Sequence, residues 1–448
     1  MRKVLLGGAY RARRVGAESR TRMQRFAARL REGFAALLWS AVRGLVPLIA
    51  FALRLRVKYF PRRSVLYAGQ AYYNAWYLSR ALRRRGWRAD VLNWDTNLES
   101  QMYYHGEDFT FAPETGSAPK AKIRFYLRAL WNYDIFHFSN AHGMLFGTEL
   151  NLWFRESFGG DIPEVRFLKC AGKKIAYSNN GCLDGVSQTS FGKWGSEPVC
   201  NICPWKNVPQ VCSDERNLAW GEFRNSMADY QCLTGGNRVD YNDDPRVHEV
   251  PEFYCLDTEM WRPELDIPEK YRLGFPPGTV TLYHAVGNFD SRTGEHGVNI
   301  KSTHVYRPLV ERLKAEGFPV EFIFFSKVPN KEVRFYQAQA DIFLDMLSFG
   351  WFGATAREAM MLGKPVICYL RPEWLESARR EIPEYVDELP IVSATPDTIR
   401  DVLVELVANA SKRGEIGARS RAFALKWHSA DAGARRMERI YMELLGRA

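Results

Sequence analysis

The segment from Gly350 to Leu370 constrains the fold more than any other part of the chain. Two glycines, Gly350 and Gly353, precede a run with helical character, and Gly-Lys-Pro then leads into the apolar residues 366–370. Glycines before a helix let backbone N–H groups approach an anion, and a helix N-terminus carries partial positive charge. Glu358 follows within that helix. The segment therefore predicts a helix and a buried strand of an α/β domain, with an anion site where the helix begins.

Length and charge divide the chain into a basic arm and a nearly neutral body. A chain of 448 residues is too long for one ordinary core, so we expect two domains. Residues 1–63 contain 16 Lys and Arg against Glu18 and Glu32, a balance of +14. The remaining residues contain 46 basic and 49 acidic side chains, a balance of −3. The positive charge of the protein is therefore a property of the arm.

The arm combines its charge with an apolar run. Residues 34–53 are almost entirely apolar, but Arg43 and Pro47 interrupt them, whereas a membrane span needs roughly 20 apolar residues. No small-residue cleavage site follows, so no secretory signal is predicted. We expect residues 1–63 to be a basic amphipathic helical extension on an anionic membrane surface. A helix packed on the protein or a partner-binding arm is the alternative, and nucleic acid is not expected as a partner because no reading module is present.

Alternating strand and helix patterns organise the rest of the chain. Residues 64–69 predict a strand, 70–86 a helix and 89–93 a second strand, which is how a doubly wound α/β domain begins. A second such unit begins at 280–286, after a proline-rich stretch. The predicted fold is α/β, with two Rossmann-like domains facing a cleft. The predicted boundaries are 64–255 for the N-terminal domain, 256–277 for the hinge, 278–430 for the C-terminal domain and 431–448 for a C-terminal helix.

The segment at 350–366 resembles the donor-binding segment of family 4 glycosyltransferases, which have the two-domain GT-B fold. The resemblance spans residues 64–446 and is specific in the second half of the chain. It implies that a nucleoside-diphosphate sugar binds the C-terminal domain. The matching positions are Glu358 for the donor ribose, Gly353, Ala354 and Thr355 for the diphosphate, Lys301 as the cation that neutralises the diphosphate, and Arg292 as a second cation.

One departure from the family pattern concerns the donor sugar. The family carries two glutamates eight positions apart, and the first commonly faces that sugar. Here Gly350 stands eight residues before Glu358, and Asp345 lies nearby but out of register. The resemblance further implies transfer with retention of configuration, with the leaving diphosphate stabilised by cations instead of a metal ion. An Asp-x-Asp metal motif is absent from the sequence.

The N-terminal half is expected to hold the acceptor. The predicted strand at 133–138 ends before Ser139, where many relatives have a histidine that faces the sugar, and His142 is the candidate to replace it. Ligands bind at the carboxyl ends of parallel strands, although a histidine in such a loop is also often a capping or packing residue. The other acceptor-side candidates are Gly69 and Gln70 in the first strand–helix turn, and Asn180 and Asp184, which are alternatively residues of an Asx turn.

Three of the eight cysteines are clustered in sequence. Cys200, Cys203 and Cys212 lie in an insertion at 196–216, and Cys232 follows a predicted helix. A CxxC pair with two further thiolates is typical of structural zinc, although this spacing matches no standard finger. The alternatives are free thiols, or a disulfide in an oxidising compartment.

The resemblance implies a retaining hexosyltransferase that needs no cofactor for catalysis. Its donor would be a UDP- or GDP-sugar, and its acceptor a lipid-linked molecule or polysaccharide in cell-envelope glycan synthesis. With the basic arm, the expected location is the cytoplasmic, inner face of a membrane. His142, Lys301 and Glu358 are the predicted catalytic residues. One alternative is a degenerate transferase that serves as a membrane scaffold or partner subunit, which the missing glutamate and Ser139 favour; another is an epimerase or phosphorylase on the same fold.

Overall fold

A computed structural model describes residues 44–447, except 70–71, 96–97, 112–117, 140–142, 161, 180–181, 183, 194–198, 207, 234–237 and 295–296. Most of the predicted basic extension therefore lies outside the described residues. The chain divides into two compact units. The first includes residues 44–60 and 170–172, and the second consists of Pro61–Lys169 and Lys173–Ala448.

The first unit contains a helix, α1, at residues 44–59. Large apolar side chains of α1 are exposed, among them Leu48 at 63% and Phe51 at 61%. Arg54 and Lys58 are exposed on the same helix. The described part of the extension is thus helical, with an apolar and basic surface. Within residues 44–447, the described part of the chain, no helix is long and apolar enough to cross a bilayer.

The second unit contains two parallel sheets, and the first has seven strands. These are β1 Ser64–Gly69, β2 Arg88–Asn93, β3 Phe109–Thr110, β4 Ile135–Phe138, β5 Lys174–Asn179, β6 Tyr230–Leu233 and β7 Val247–Glu249. Their order is β3-β2-β1-β4-β5-β6-β7, with every pair parallel. The order reverses between β1 and β4, as in Rossmann folds, and ligands bind at such a reversal. The helices between these strands are α2 Tyr73–Arg84, α3 Pro119–Asn132, α4 Glu149–Phe158, α5 Pro163–Cys170, α6 Gln188–Lys193 and α7 Asp214–Met227.

The second sheet has four strands, β8 Val280–Ala285, β9 Val320–Phe325, β10 Ile342–Leu344 and β11 Val366–Ile367. Their order is β11-β10-β8-β9, and all pairs are again parallel. The strands are apolar because helices cover both faces, and Leu282, Ile342 and Ile367 are completely buried. Two Rossmann-like sheets confirm the predicted fold class. The helices of this half are α8 Phe289–Arg292, α9 Thr303–Ala315, α10 Asn330–Ala338, α11 Ala354–Met361, α12 Pro372–Glu381, α13 Pro383–Asp387, α14 Ile399–Ala408, α15 Ala410–His428 and α16 Ala430–Leu444.

The sequence pattern predicts helices at 395–410 and 430–445 but misses α15 between them. Charged residues and two glycines obscure the apolar stripe of α15. Gly417 is required by packing, because a Cβ there would lie 2.3 Å from the carbonyl oxygen of Gly363. The glycine that weakens the helical pattern therefore lets α15 approach the turn after α11.

The C-terminal helix α16 returns to the first sheet. Its Tyr441 hydroxyl donates to the Tyr67 hydroxyl at 3.0 Å and lies 2.7 Å from Nδ1 of His137. Trp87 Nε1 donates to Glu438 of the same helix at 3.1 Å. These contacts attach the end of the chain to β1 and β4 and fix the base of the cleft between the two sheets.

Candidate functional site

The carboxyl ends of both sheets border two neighbouring cavities. We call the cavity over β8 and β9 the second-sheet cavity; its volume is about 400 Å³, and Lys301 and Glu358 line it. The first-sheet cavity, of about 550 Å³, lies over β1 and β4 and includes Ser139 and Arg357. The described residues that line both cavities are Tyr72, Tyr73, Met102, Tyr103, Arg292, Trp351 and Ala354.

Glu358 is buried in the second-sheet cavity, with 2% of its surface exposed. It accepts hydrogen bonds from Tyr73 Oη at 3.0 Å, Asn330 Nδ2 at 2.8 Å and Gln337 Nε2 at 2.6 Å. Burial raises the pKa of Glu358, and the three donors and the charge of Lys301 reduce that rise. Tyr73 belongs to α2, so the carboxylate is held from both sides of the cleft. Glu358 is therefore a buried hydrogen-bond acceptor and not a solvated helix side chain.

Lys301 and the N-terminus of α11 converge on one carboxylate, Asp345. Lys301 Nζ lies 2.6 Å from Asp345 Oδ1, and the Gly353 N–H donates to Oδ2 at 2.8 Å. Asp345 is 2% exposed, and its carbonyl oxygen accepts from the Tyr306 hydroxyl at 2.6 Å. The cation and the backbone donor predicted for the diphosphate are thus brought together. Gly353 permits this approach, since a Cβ would lie 3.0 Å from Lys301 Nζ.

Gly350 occupies the position where the family pattern has its first glutamate. Its φ of +86° lies in the left-handed region, which glycine adopts without strain. A Cβ there would lie 2.5 Å from Arg371 Nε and 2.6 Å from its Cβ. The backbone conformation at position 350 therefore favours glycine over the glutamate of the family pattern.

Phe325 borders the second-sheet cavity at the end of β9. The rings of Phe325 and Tyr336 stack with centroids 4.2 Å apart, and Ser326 and Val328 continue the lining. A flat aromatic wall beside polar backbone suits a planar heterocycle.

Two predicted acceptor-side residues meet in the first-sheet cavity. A Cβ at Gly69 would lie 2.0 Å from Ser139 Oγ, and Gly69 has a φ of +157°, so a larger residue would displace the serine. Both residues line the cavity, together with Ser178 at the end of β5. The structure therefore places small hydroxyl groups at the ends of two strands, β4 and β5, where the sequence predicts the acceptor.

His137 also lines this cavity, a role that sequence reasoning missed. It is 1% exposed and stacks on Phe253 with centroids 4.7 Å apart. Because Tyr441 donates to Tyr67, His137 Nδ1 donates to Tyr441, and Nε2 has no partner among the described residues. Burial lowers the pKa of His137 to about 3. The ring is therefore neutral at physiological pH, with an available lone pair next to the cavity.

Other predicted residues lie elsewhere. Asp184 accepts from Trp220 Nε1 at 2.8 Å, which anchors α7, and it is outside the described lining of both cavities. His284, at the end of β8, is fully buried between the Leu344 carbonyl and the Thr303 hydroxyl, each at 2.8 Å. Arg292 lines both cavities and is exposed. Gln70, His142 and Asn180 lie outside the described residues.

The predicted cysteine set is only partly brought together. Cys200, Cys203 and Cys212 line a small apolar pocket with Cys182. Cys232 follows Gln231 in β6, and side chains alternate between the faces of a strand. Gln231 Nε2 donates to Asn225 of α7 at 2.9 Å, so Cys232 lies on the opposite face, in the core cluster that includes Tyr441. Among the described side chains, no group of three or more His, Cys, Asp or Glu is placed to hold a metal ion.

Comparison with solved structures identifies this arrangement of sheets. The chain superposes on sucrose-phosphate synthase of Thermosynechococcus elongatus with a TM-score of 0.50 and 15% identity, over 86% of this chain and 100% of that one. The HepE protein of Anabaena, in complex with UDP-glucose, matches with a TM-score of 0.51 and 12% identity over 85% of this chain and 99% of that one. The catalytic domain of starch synthase IV of Arabidopsis thaliana, bound to ADP and acarbose, matches with a TM-score of 0.50 and 11% identity over 86% and 99%.

The chain has the GT-B fold. At these identities the likeness is one of fold, and it confirms the resemblance on which the two-domain prediction rested. No known family model matches the sequence, and no curated protein matches it.

Restoring the family glutamate should destabilise the protein. Gly350→Glu places a side chain at positive φ against Arg371, and we expect a loss of about 1–3 kcal/mol in the free energy of unfolding. Gly414→Glu is the control, because nothing lies within 4 Å of a Cβ there. Urea denaturation of both variants measures the difference. Equal stability of Gly350→Glu and the wild type would contradict the strain.

Acidification should destabilise the protein partly through His137. Its folded pKa of about 3 lies below the usual value of about 6.5, so below pH 6.5 the unfolded state binds the extra proton. Stability contributed by the neutral ring is present above pH 6.5 and is lost as the pH falls. Between pH 7 and 5 we expect His137→Gln to lose about 2 kcal/mol less than the wild type. Urea denaturation at both pH values gives the change in the free energy of unfolding with pH for each protein. Equal changes in the two proteins would refute the lowered pKa of His137.

Metal analysis of the purified protein checks the zinc prediction and its ligand set. Since Cys232 faces away from the other three thiols, zinc held in the pocket should survive Cys232→Ser and be lost in Cys203→Ser and Cys182→Ser. One equivalent of zinc that disappears in Cys232→Ser would contradict this placement. An absence of zinc from all four proteins would identify the cysteines as free thiols.

Proposed function

We propose that the protein is a glycosyltransferase that uses a nucleoside-diphosphate sugar as its donor. The observation that carries the proposal is the convergence of Lys301, the α11 N-terminus and Glu358 on one cavity at the carboxyl end of a Rossmann-like sheet. HepE with UDP or UDP-glucose and starch synthase IV with ADP share the fold and bind this class of ligand, which supports the assignment. The cavity volume of about 400 Å³ lies within the usual range for small-molecule sites.

Each end of the donor has a matching group. The ribose diol donates to the Glu358 carboxylate, which requires the Tyr73 hydroxyl to give up its place on Oε1. The diphosphate accepts from the first N–H groups of α11 at Ala354 and Thr355, and Lys301 supplies a positive charge. The base lies against Phe325, whose ring is stacked on that of Tyr336.

Stabilisation of the leaving diphosphate would supply most of the rate enhancement. Negative charge on the diphosphate grows as the sugar departs, and one preorganised donor or cation at such a position contributes about 3–4 kcal/mol. Lys301 is preorganised because Asp345 holds it at 2.6 Å, and Arg292 reaches the same region from α8. In this proposal the transfer is metal-independent, proceeds with retention and moves a hexosyl group.

The acceptor occupies the first-sheet cavity, beside Ser139, Ser178 and His137. The exposed apolar and basic side chains of α1 support a lipid-linked or glycan acceptor at the inner membrane face, where this enzyme would act in envelope polysaccharide synthesis. A membrane scaffold is the rival, but it does not require a buried carboxylate and a cation poised at a helix N-terminus. An epimerase or phosphorylase shares the fold and is separated from a transferase by product analysis.

A thermal-shift titration with UDP, GDP, CDP, ADP and dTDP tests the donor site. One nucleotide should raise the melting temperature, and Glu358→Ala should weaken its binding at least tenfold, since a hydrogen bond to a charged group contributes about 1.5–3 kcal/mol. Glu415→Ala, on the exposed face of α15, is the matched control and should bind like the wild type. No shift with any nucleotide, in folded protein, would favour the scaffold.

A further inference from the structure

Arg357 is a buried cation without a counter-ion. It is 3% exposed, and its guanidinium carbon lies over the rings of Tyr254 at 4.5 Å, Trp351 at 4.7 Å and Phe352 at 5.0 Å. Its Nε is enclosed and has no hydrogen-bond partner, and no described carboxylate forms an ion pair with it. The charge is therefore held by aromatic faces alone.

Aromatic faces satisfy only part of a guanidinium. They attract its positive charge from above and below, but its five N–H donors point outward in the plane of the group. Burying a charge without hydrogen-bonded partners is strongly unfavourable. The N–H donors of an arginine in such a cage are satisfied only when an acceptor reaches them, and Arg357 lines the first-sheet cavity.

The charged side chains that line this cavity are all positive among the described residues. Its described lining includes two arginines, Arg292 and Arg357, and no aspartate or glutamate. The other polar groups are neutral, such as the Ser139 and Ser178 side chains and the imidazole of His137. A low-dielectric cavity with positive charge alone concentrates anions.

Arg357 is separate from the diphosphate site. Consecutive helical residues project about 100° apart, so Arg357 and Glu358 of α11 line different cavities. The diphosphate site already has Lys301 and the helix N-terminus, and Arg357 is absent from its described lining.

We propose that the first-sheet cavity binds a substrate that carries a phosphate or carboxylate group, and that Arg357 receives this anion on its N–H edge. A planar fork of donors matches both oxyanions in a bidentate manner. The assignment rests on the proposed function, because the cavity adjoins the donor site. The anion belongs either to an acidic sugar of the donor or to a charged acceptor.

Arg357→Met is the informative variant, because methionine keeps apolar contact with the three rings. The anionic probe is pyrophosphate, titrated into protein saturated with the nucleotide that binds the donor site, so that the diphosphate site is already occupied. We expect pyrophosphate to raise the melting temperature of the wild type, and Arg357→Met to weaken its binding at least tenfold. Nucleotide affinity should change less than twofold. Arg357→Lys, which keeps the charge and loses the fork, should fall between the two.

Stability separates this role from a structural one. Removing a buried charge that lacks a partner should leave the melting temperature of unliganded Arg357→Met equal to or above that of the wild type. Arg400→Met, which removes an exposed arginine paired with Glu316, is the control for loss of one charge and should bind pyrophosphate like the wild type. Reduced stability together with unchanged pyrophosphate binding in Arg357→Met would overturn the proposal.

A second comparison identifies the source of the anion. Wild type and Arg357→Met are titrated with UDP-glucose and UDP-glucuronate, or the equivalent pair for the base that binds. A tenfold or greater preference for the acidic sugar that disappears in the variant assigns the anion to the donor. Equal binding of the two sugars, with Arg357-dependent pyrophosphate binding, assigns it to the acceptor. If no nucleotide binds at all, the proposed function fails, and pyrophosphate alone then decides whether Arg357 is an anion site.

Discussion

Helix α11 buries two opposite charges on adjacent residues and pairs neither with the other. Arg357 and Glu358 project in different directions, so each charge lines its own cavity. Glu358 has three hydrogen-bond donors, whereas Arg357 has ring faces only. An apolar side chain at 357 would remove a buried charge, whereas one at 358 would leave three buried donors without an acceptor. The charge of the first-sheet cavity and the carboxylate of the second-sheet cavity therefore both depend on this short helix.

Lys301 and Arg357 differ in their partners. Lys301 is partly buried and pairs with an internal carboxylate, Asp345, which fixes its position. Asp345 also accepts from the Gly353 N–H, so one side chain holds both groups that a diphosphate would contact. Arg357 has no such substitute among the described residues. The Asp345 carboxylate therefore holds Lys301 in position to bind an anion. Arg357 depends on a ligand for its counter-ion.

Features encoded in a short segment could be predicted from the sequence. The glycine–helix–strand pattern at 350–366 located α11 and β11, and β1 begins and ends at Ser64 and Gly69, as the pattern at 64–69 indicates. Features that depend on distant segments could not be predicted. The cage of Arg357 needs Tyr254, which lies about 100 residues away, and the available Nε2 of His137 depends on Tyr441 of α16. The assignment of Cys232 to the cysteine cluster neglected the alternation of faces along β6.

The missing glutamate and the unpaired arginine affect the same region of the cleft. By resemblance to family 4, position 350 is where a carboxylate faces the donor sugar, and here the positive φ of Gly350 and the proximity of Arg371 disfavour one. Trp351, the next residue, instead supplies one wall of the Arg357 cage and lines both cavities. In the proposed transferase, one negative charge is absent and one positive charge is present beside the point where donor and acceptor would meet. A charge reversal at that point selects for substrates of the opposite sign, so the departure from the family pattern is better explained by a change in substrate charge than by decay of the site.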